Sequence, residues 1–505
     1  MRPNGLLLWL AVPVLGKGTL ILPRRGEGED PTRKASASSI ASPVPYIVLT
    51  RPDATQEAVQ NIKSALEKAA VSDSLRWVTS HSTGLAVLFQ AELTSQRPVP
   101  LNPSSVAHVV PDLPVLETQP RLAVLSSKGS NQASTADQLS SLEIVARAAQ
   151  ISARISLQRR APDDLKIISQ PKGAKLADLP GFSYGSEAGK GVTIYVIDTG
   201  ANIENTEWTG MKGTHRFMYA PGASQLESDP LNHGYCVASK AAGPMYGTAK
   251  NANLVMVKLK LGDQTIFLSN IYSIFIEVKN DIELRRLKCK AIVNISFTLN
   301  TKEQSEALDG LRTLLVDLMA NDVVVVTGSG NNRDEGVDDV DKYPALFGPK
   351  TNIIVVGGVN NDGSRAADSQ GTGNQLTVST PYFVTCASGV VQGPQNIYGT
   401  SFASALVSGV IAVWLSQNLY KTHLGVPGRV VANVKAMLKE LAYPRILNGP
   451  PVVWNGVDPR KRTCQAPSVA GLHTRRISNY RDPKDCGTTS TVLPPSKRPH
   501  YPAPR

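Results

Sequence analysis

Five runs of β-branched and apolar residues, at 193–197, 253–258, 291–296, 323–327 and 352–359, read as strands with almost no polar alternation. A strand with one wet face alternates; a strand covered on both faces does not. Segments with helical character lie between and after them, at 233–242, 267–280, 302–320 and 401–417. Alternation of this kind predicts an α/β fold, a doubly wound, mostly parallel sheet with helices on both faces. Ligands of such sheets bind outside the carboxyl ends of the strands. Asp198 and Asn331 follow the ends of the first and fourth runs.

Three segments carry recognisable chemistry. IYVIDTG (194–200) ends a strand on Asp198, NHGYCVASKAAG (232–243) opens a small-residue helix with His233, and GTSFASALVSG (399–409) delivers Ser401 to the start of an apolar stretch. A serine nucleophile needs a hydroxyl, a base for its proton and a carboxylate to orient the base. Each residue also has a plainer reading: a strand-end aspartate capping a turn, a stray histidine, an N-cap serine. Asn331, in VVVVTGSGNN (323–332), could donate to a developing oxyanion or simply occupy a turn.

Together VIDTG, HGYCVAS, GTSFASALVSG and VVVVTGSGNN resemble the signature blocks of the subtilisin-like serine proteases, the subtilases. The resemblance runs from about 189 to about 415 and is greatest to secreted fungal subtilases. It implies a serine endopeptidase made as a zymogen. Ser401 would be the nucleophile, His233 the base, Asp198 its orienting carboxylate and Asn331 the oxyanion donor. Ser296, Phe297 and Thr298 would pair with an extended substrate, and Gly328, Ser329 and Gly330 would wall the pocket for the residue before the cleaved bond. Neither segment holds Asp or Glu, so that pocket is expected to take apolar residues; Asp334 and Glu335 reach it only if their loop folds back. Three positions depart from the family pattern. Tyr235 stands for a threonine and puts a ring beside the base, Thr298 stands for a glycine, and Ala405-Leu406 replace a Pro-His pair. These departures motivate an alternative, a catalytically impaired subtilase-fold protein that binds peptides or a partner. A dehydrogenase is disfavoured, because Gly189-Lys190-Gly191 precedes its strand and no G-x-G-x-x-G opens a helix.

Outside the core, a basic start and the apolar run 6–15 read as a secretory signal over 1–18. A linker (19–44) precedes a small α+β segment (45–122) patterned like a subtilase propeptide, with an amphipathic helix at 56–70. Residues 123–160 read as a linker ending on the dibasic pair Arg159-Arg160, with 139–157 of helical composition; the mature chain would start near Ala161. The catalytic segment spans 161–460. The tail 461–505 holds nine Lys or Arg against Asp482 and Asp485, and composition of that kind reads as a solvated extension. The chain has five cysteines: Cys464 and Cys486 could close a loop, and Cys236 shares a helix face with His233, as a thiol near the base or as a small buried apolar residue. The expected partners are polypeptide substrates and the chain's own propeptide as an intramolecular inhibitor, with no nucleic acid, no membrane and a monomeric state. No cofactor is expected, and structural calcium is not readable from the sequence.

Overall fold

The computed structural model describes residues 19–20, 43–94, 99–117, 152–260, 266–300, 305–389, 393–458, 462–463 and 489–491. The signal-like segment 1–18, the segment 118–151, Cys464, Cys486 and nearly all of the basic tail lie outside them. The chain divides into two compact units.

One unit comprises the described residues within 1–116, 263–286 and 301–315. Strands β1 (Val44–Thr50), β2 (Arg76–Thr79), β3 (Ala86–Leu93) and β4 (Val106–Pro111) form an antiparallel sheet in the order β2-β3-β1-β4. Helix α1 (Gln56–Ala69) starts at Thr55, whose hydroxyl accepts the Ala58 N–H at 3.2 Å. Its stripe Val59, Ile62, Leu66 and Ala69 is buried in one cluster with Val48, Phe89 and Leu93. The helix Leu268–Leu284 belongs to this unit too. Asp112 Oδ1 accepts the Ser269 N–H at 2.9 Å, and Leu113 O accepts the Leu268 N–H at 3.0 Å, so two groups that a helix start leaves unpaired are satisfied. Further along, Asn280 donates to Thr79 O at 2.7 Å and accepts from His81 N at 2.8 Å.

The other unit comprises the described residues within 117–262, 287–300 and 316–505. It opens on β5 (Ser152–Gln158), which pairs antiparallel with β6 (Phe182–Gly185) and with Thr489–Thr491. The helical reading of 139–157 is therefore corrected over 152–157. The segment is small and mixed in composition, and partners distant in sequence give it extended backbone. Gln158 lies opposite Phe182 and donates through Nε2 to Met245 O at 2.8 Å. Arg159 and Arg160 are exposed in the turn that follows.

The central sheet contains β7 (Thr193–Asp198), β8 (His215–Tyr219), β9 (Asn253–Lys258), β10 (Ala291–Ile295), β11 (Val324–Gly328), β12 (Ile354–Val359) and β13 (Val378–Pro381). Their order is β8-β9-β7-β10-β11-β12-β13, all parallel, extended at one edge by the short hairpin Tyr443–Pro444 with Pro451–Val452. The order turns back at β7, and Asp198 stands at its carboxyl end, where such sheets bind ligands. Strands β7, β10, β11 and β12 are buried throughout, the burial that their unbroken apolar runs require. Helix α2 (His233–Ala242) connects β8 to β9. A hairpin of β14 (Phe383–Ala387) and β15 (Pro394–Tyr398) leads into helix α3 (Thr400–Ser416). Every residue of α3 from Thr400 to Trp414 is buried, as expected of a helix apolar on all sides. Among the described residues no single helix is long and apolar enough to cross a membrane.

Candidate active site

β7 delivers Asp198 to the bottom of the site, 2 % exposed. Its Oδ1 accepts the Thr199 N–H at 2.7 Å and His233 Nδ1 at 2.7 Å. An imidazole that donates from Nδ1 keeps Nε2 as its basic nitrogen. His233 is the first residue of α2, and Gly234 after it is dictated by space. A Cβ there would stand 2.6 Å from Gly200 O and 2.9 Å from Asp198 Oδ1.

Ser401 enters from the other side. Gly399 adopts φ 153°, open to glycine, and α3 begins with Thr400 and Ser401. The Ser401 hydroxyl is nearly buried, and Oγ donates to Ser296 O at 3.5 Å. The next residue, Phe402, places its ring 5.1 Å from the imidazole, centroid to centroid. Three predicted residues, Asp198, His233 and Ser401, thus come from β7, α2 and α3 to one end of the sheet. Ser296 belongs with them through its carbonyl.

Asn331 joins the same end. Its Oδ1 accepts the Thr400 N–H at 2.9 Å and the Thr400 hydroxyl at 3.0 Å. With the oxygen so committed, the Nδ2 donors are turned the other way, toward Gly399. Gly328 and Gly330 bring the β11 turn against the same threonine. A Cβ at Gly328 would lie 2.8 Å from both Thr400 O and Oγ1, and Gly330 N donates to Thr400 Oγ1 at 3.2 Å. Ser329 and Phe297 are buried, whereas Thr298 is half-buried. Asp334 and Glu335 are exposed, and Asn332 Nδ2 donates to Glu335 Oε2 at 2.7 Å. The loop holds both carboxylates outward.

Two further residues of α2 were singled out by the sequence. The Tyr235 ring, which the sequence puts beside the base, is wholly buried, with its edge 3.5 Å from where a Gly389 Cβ would stand. Cys236 is neither a thiol near the base nor a lone apolar residue: it is disulfide-bonded to Cys386 of β14, and both are fully buried. Their neighbours reinforce the tie. Lys240 donates to Thr385 O at 3.0 Å, and the Gly389 N–H donates to Asn232 Oδ1 at 2.6 Å. Lys240 also forms a buried ion pair with Asp164, where burial pushes the carboxyl up and the ammonium down while each charge opposes the other's shift. Cys289 is a free thiol.

Sequence reasoning passed over Asp229. It lies in the polar loop before α2 and is 7 % exposed. Its carboxylate accepts Thr199 Oγ1 at 2.8 Å, Leu231 N at 3.1 Å and Tyr235 N at 2.8 Å. Burial raises its pKa, the Tyr235 N–H opposes the rise and the Asp198 charge adds to it. The available signal was position: a carboxylate four residues before His233. Among the described residues no group of three or more His, Cys, Asp or Glu could hold a metal ion.

Residues 189–448 match the Subtilase family. Among similar proteins are subtilisin-like protease 3 of Pseudogymnoascus destructans, 28 % identical over 56 % of this chain and 66 % of its own length, and subtilisin-like protease 2 of Trichophyton rubrum, 30 % identical over 57 % and 63 %. Alkaline protease 1 of Aspergillus clavatus is 31 % identical over 46 % and 54 %. The chain thus spans two thirds or less of the length of these relatives. In fold it is similar to the epidermin leader peptide processing serine protease of Staphylococcus aureus, with TM-score 0.51 and 14 % identity over 80 % of this chain and 94 % of that one.

Proposed function

The chain belongs to the subtilase family, and from that premise we propose that it is a secreted serine endopeptidase made as a zymogen. The observation that carries the reading is the buried 2.7 Å bond from His233 Nδ1 to Asp198 Oδ1. A buried carboxylate in that position fixes the tautomer and stabilises the imidazolium that forms when Nε2 takes a proton. Ser401 Oγ gives up its proton to His233 and attacks the scissile carbonyl. The oxyanion then draws on the Asn331 amide, whose orientation Thr400 fixes, and on the Ser401 N–H in the first turn of α3. His233 returns the proton to the leaving amine, and water repeats the sequence on the acyl-enzyme. Because His233 must be neutral to act, activity should rise through roughly pH 6–8.

The substrates are polypeptides, with Ser296, Phe297 and Thr298 along one side of the bound strand. Apolar residues are favoured before the cleaved bond, since an unpaired cation in a pocket walled by Gly328, Ser329 and Gly330 is costly. The outward set of Asp334 and Glu335 supports this. Residues 1–18 serve as signal, 45–122 as intramolecular inhibitor and 161–460 as the catalytic segment of a monomer. Cleavage after Arg160 would give a mature start at Ala161.

Two measurements test the reading. A labelled fluorophosphonate should react with the processed wild-type protein and not with Ser401→Ala, and Ser401→Ala should abolish peptide hydrolysis with the fold intact. Turnover undiminished in purified Ser401→Ala refutes it. N-terminal sequencing of the secreted protein tests the processing scheme; a mature chain that retains Tyr46 excludes it.

A further inference from the structure

Helices begin with unpaired N–H groups, and the residue before the helix usually caps them. α2 does not follow that habit. Asn232 has left-handed backbone, φ 55°, and makes no cap bond to the helix; its Oδ1 is taken by Gly389 N. The free donors go to the turn after β7 and to the preceding loop. Gly234 N donates to Thr199 Oγ1 at 2.8 Å, and Tyr235 N donates to Asp229 Oδ2 at 2.8 Å. Thr199 gives its hydroxyl proton to Asp229 Oδ1 at 2.8 Å and its N–H to Asp198 Oδ1 at 2.7 Å. The ring closes through Asp198 and His233. One residue, Thr199, therefore links two carboxylates, and both act on the first turn of α2.

We propose that Asp229 is a positioning residue for His233: with Thr199 it locks the first turn of α2 onto the end of β7, and its negative charge stabilises the protonated imidazole. The inference rests on the reading of His233 as the general base. All contacts on the Asp229 oxygens come from donors, so the ionised carboxylate is the form the site uses. A carboxylate at a helix start also meets the positive end of the helix dipole. The loop that carries Asp229 is itself held. Lys258, at the end of β9, donates to Leu226 O at 2.6 Å and Ser228 O at 2.9 Å. Against the turn after β7 the fit is close: a Cβ at Gly200 would stand 2.2 Å from Ser228 O. The charged groups that interact with Asp229 are Asp198, His233 and Lys258.

The sign follows directly. An anion near an imidazole raises its pKa, so removing the charge lowers it and moves the acid limb of activity to lower pH. The test uses the full chain with 15N-labelled histidine, comparing wild type, Asp229→Asn and Thr199→Val. The His233 titration is expected to fall by about half a unit or more in Asp229→Asn. Turnover is expected to fall on the order of tenfold with KM held, because the base is less well aligned. Thr199→Val removes the bridging hydroxyl and should lower kcat in the same direction. A folded Asp229→Asn whose His233 titrates as in wild type overturns the proposal. Should Asp229→Asn fail to fold, unchanged kcat in Thr199→Val overturns it instead. A wild-type protein that cleaves no peptide defeats the peptidase reading, while the His233 titration still decides the role of Asp229.

Discussion

Asn331 and Thr400 are joined twice: the backbone N–H and the hydroxyl of Thr400 both donate to the one amide oxygen of Asn331, at 2.9 and 3.0 Å. That double bond of contacts fixes which end of the amide faces the nucleophile. Thr400→Val keeps the shape and the N–H but deletes the hydroxyl. The hydroxyl's bond to Asn331 and its acceptance of the Gly330 N–H are both lost, and the expected result is a fall in kcat of about tenfold or more with KM little changed. Asn331→Leu should cost more, ~10²–10³ in kcat, a range measured on the subtilisins themselves. Steady-state kinetics on a peptide substrate checks both.

Lys240 and Asp164 form an ion pair with neither side chain appreciably exposed. Removing one partner strands a buried charge, so Lys240→Met should destabilise the fold by about 3–5 kcal/mol. Lys240→Met with Asp164→Leu should recover much of that loss, since two apolar groups need no partner. Urea unfolding of the two variants is the measurement, and equal destabilisation would contradict the pair's assigned role.

The Cys236–Cys386 bridge closes a sequence separation of 150 residues. Long closures restrict the unfolded chain most, and loss of such a bond costs about 2–5 kcal/mol. The Cys236→Ser/Cys386→Ser protein should therefore melt lower. Both sulfurs are buried, so native protein should keep the bond in mild dithiothreitol and lose it once unfolded. Thiol counting with and without denaturant separates the two states.

Burial, with the carboxylate of Asp322 close by, pushes the Cys289 thiol up to about 11. Relative to an ordinary thiol at 9.0, its reactive thiolate is scarcer by roughly 100-fold at pH 8. Peptide-level mass spectrometry after iodoacetamide treatment should find Cys289 slow to alkylate in the native protein. Asp322→Asn should speed it by lowering the thiol's pKa, provided the bonds from Gly428 N and Val430 N to Asp322 survive.

Much of the central sheet was legible because its cause is local. Unbroken runs such as VVVV at 323–326 can form little else than strands buried on both sides. Asp198, His233, Ser401 and Asn331 were singled out because each stands in a block that resembles a family signature, after a buried strand or at the start of a helix. What escaped depends on contacts remote in sequence. Nothing within 152–157 distinguishes strand from helix; the pairing with β6 does. Cys236 gives no hint of Cys386 until α2 and β14 pack together. Asp229 stands in a loop without periodicity, and its importance lies in N–H groups of a helix that the loop only approaches. Tyr235 was visible as a departure, but its full burial was not, since residues as remote as Gly389 come close to its ring.

The pairing of β5 with β6 gives chain cleavage an unusual meaning. The antiparallel ladder that sets Ile155, Ser156, Leu157 and Gln158 opposite β6 lies upstream of the exposed Arg159-Arg160 turn, and its hydrogen bonds do not depend on the peptide bond after Arg160. A cut there changes the connectivity of the molecule without touching those bonds. Scission and departure are thus two separate events with separate rates: denaturing electrophoresis would see two polypeptides where gel filtration still sees one particle.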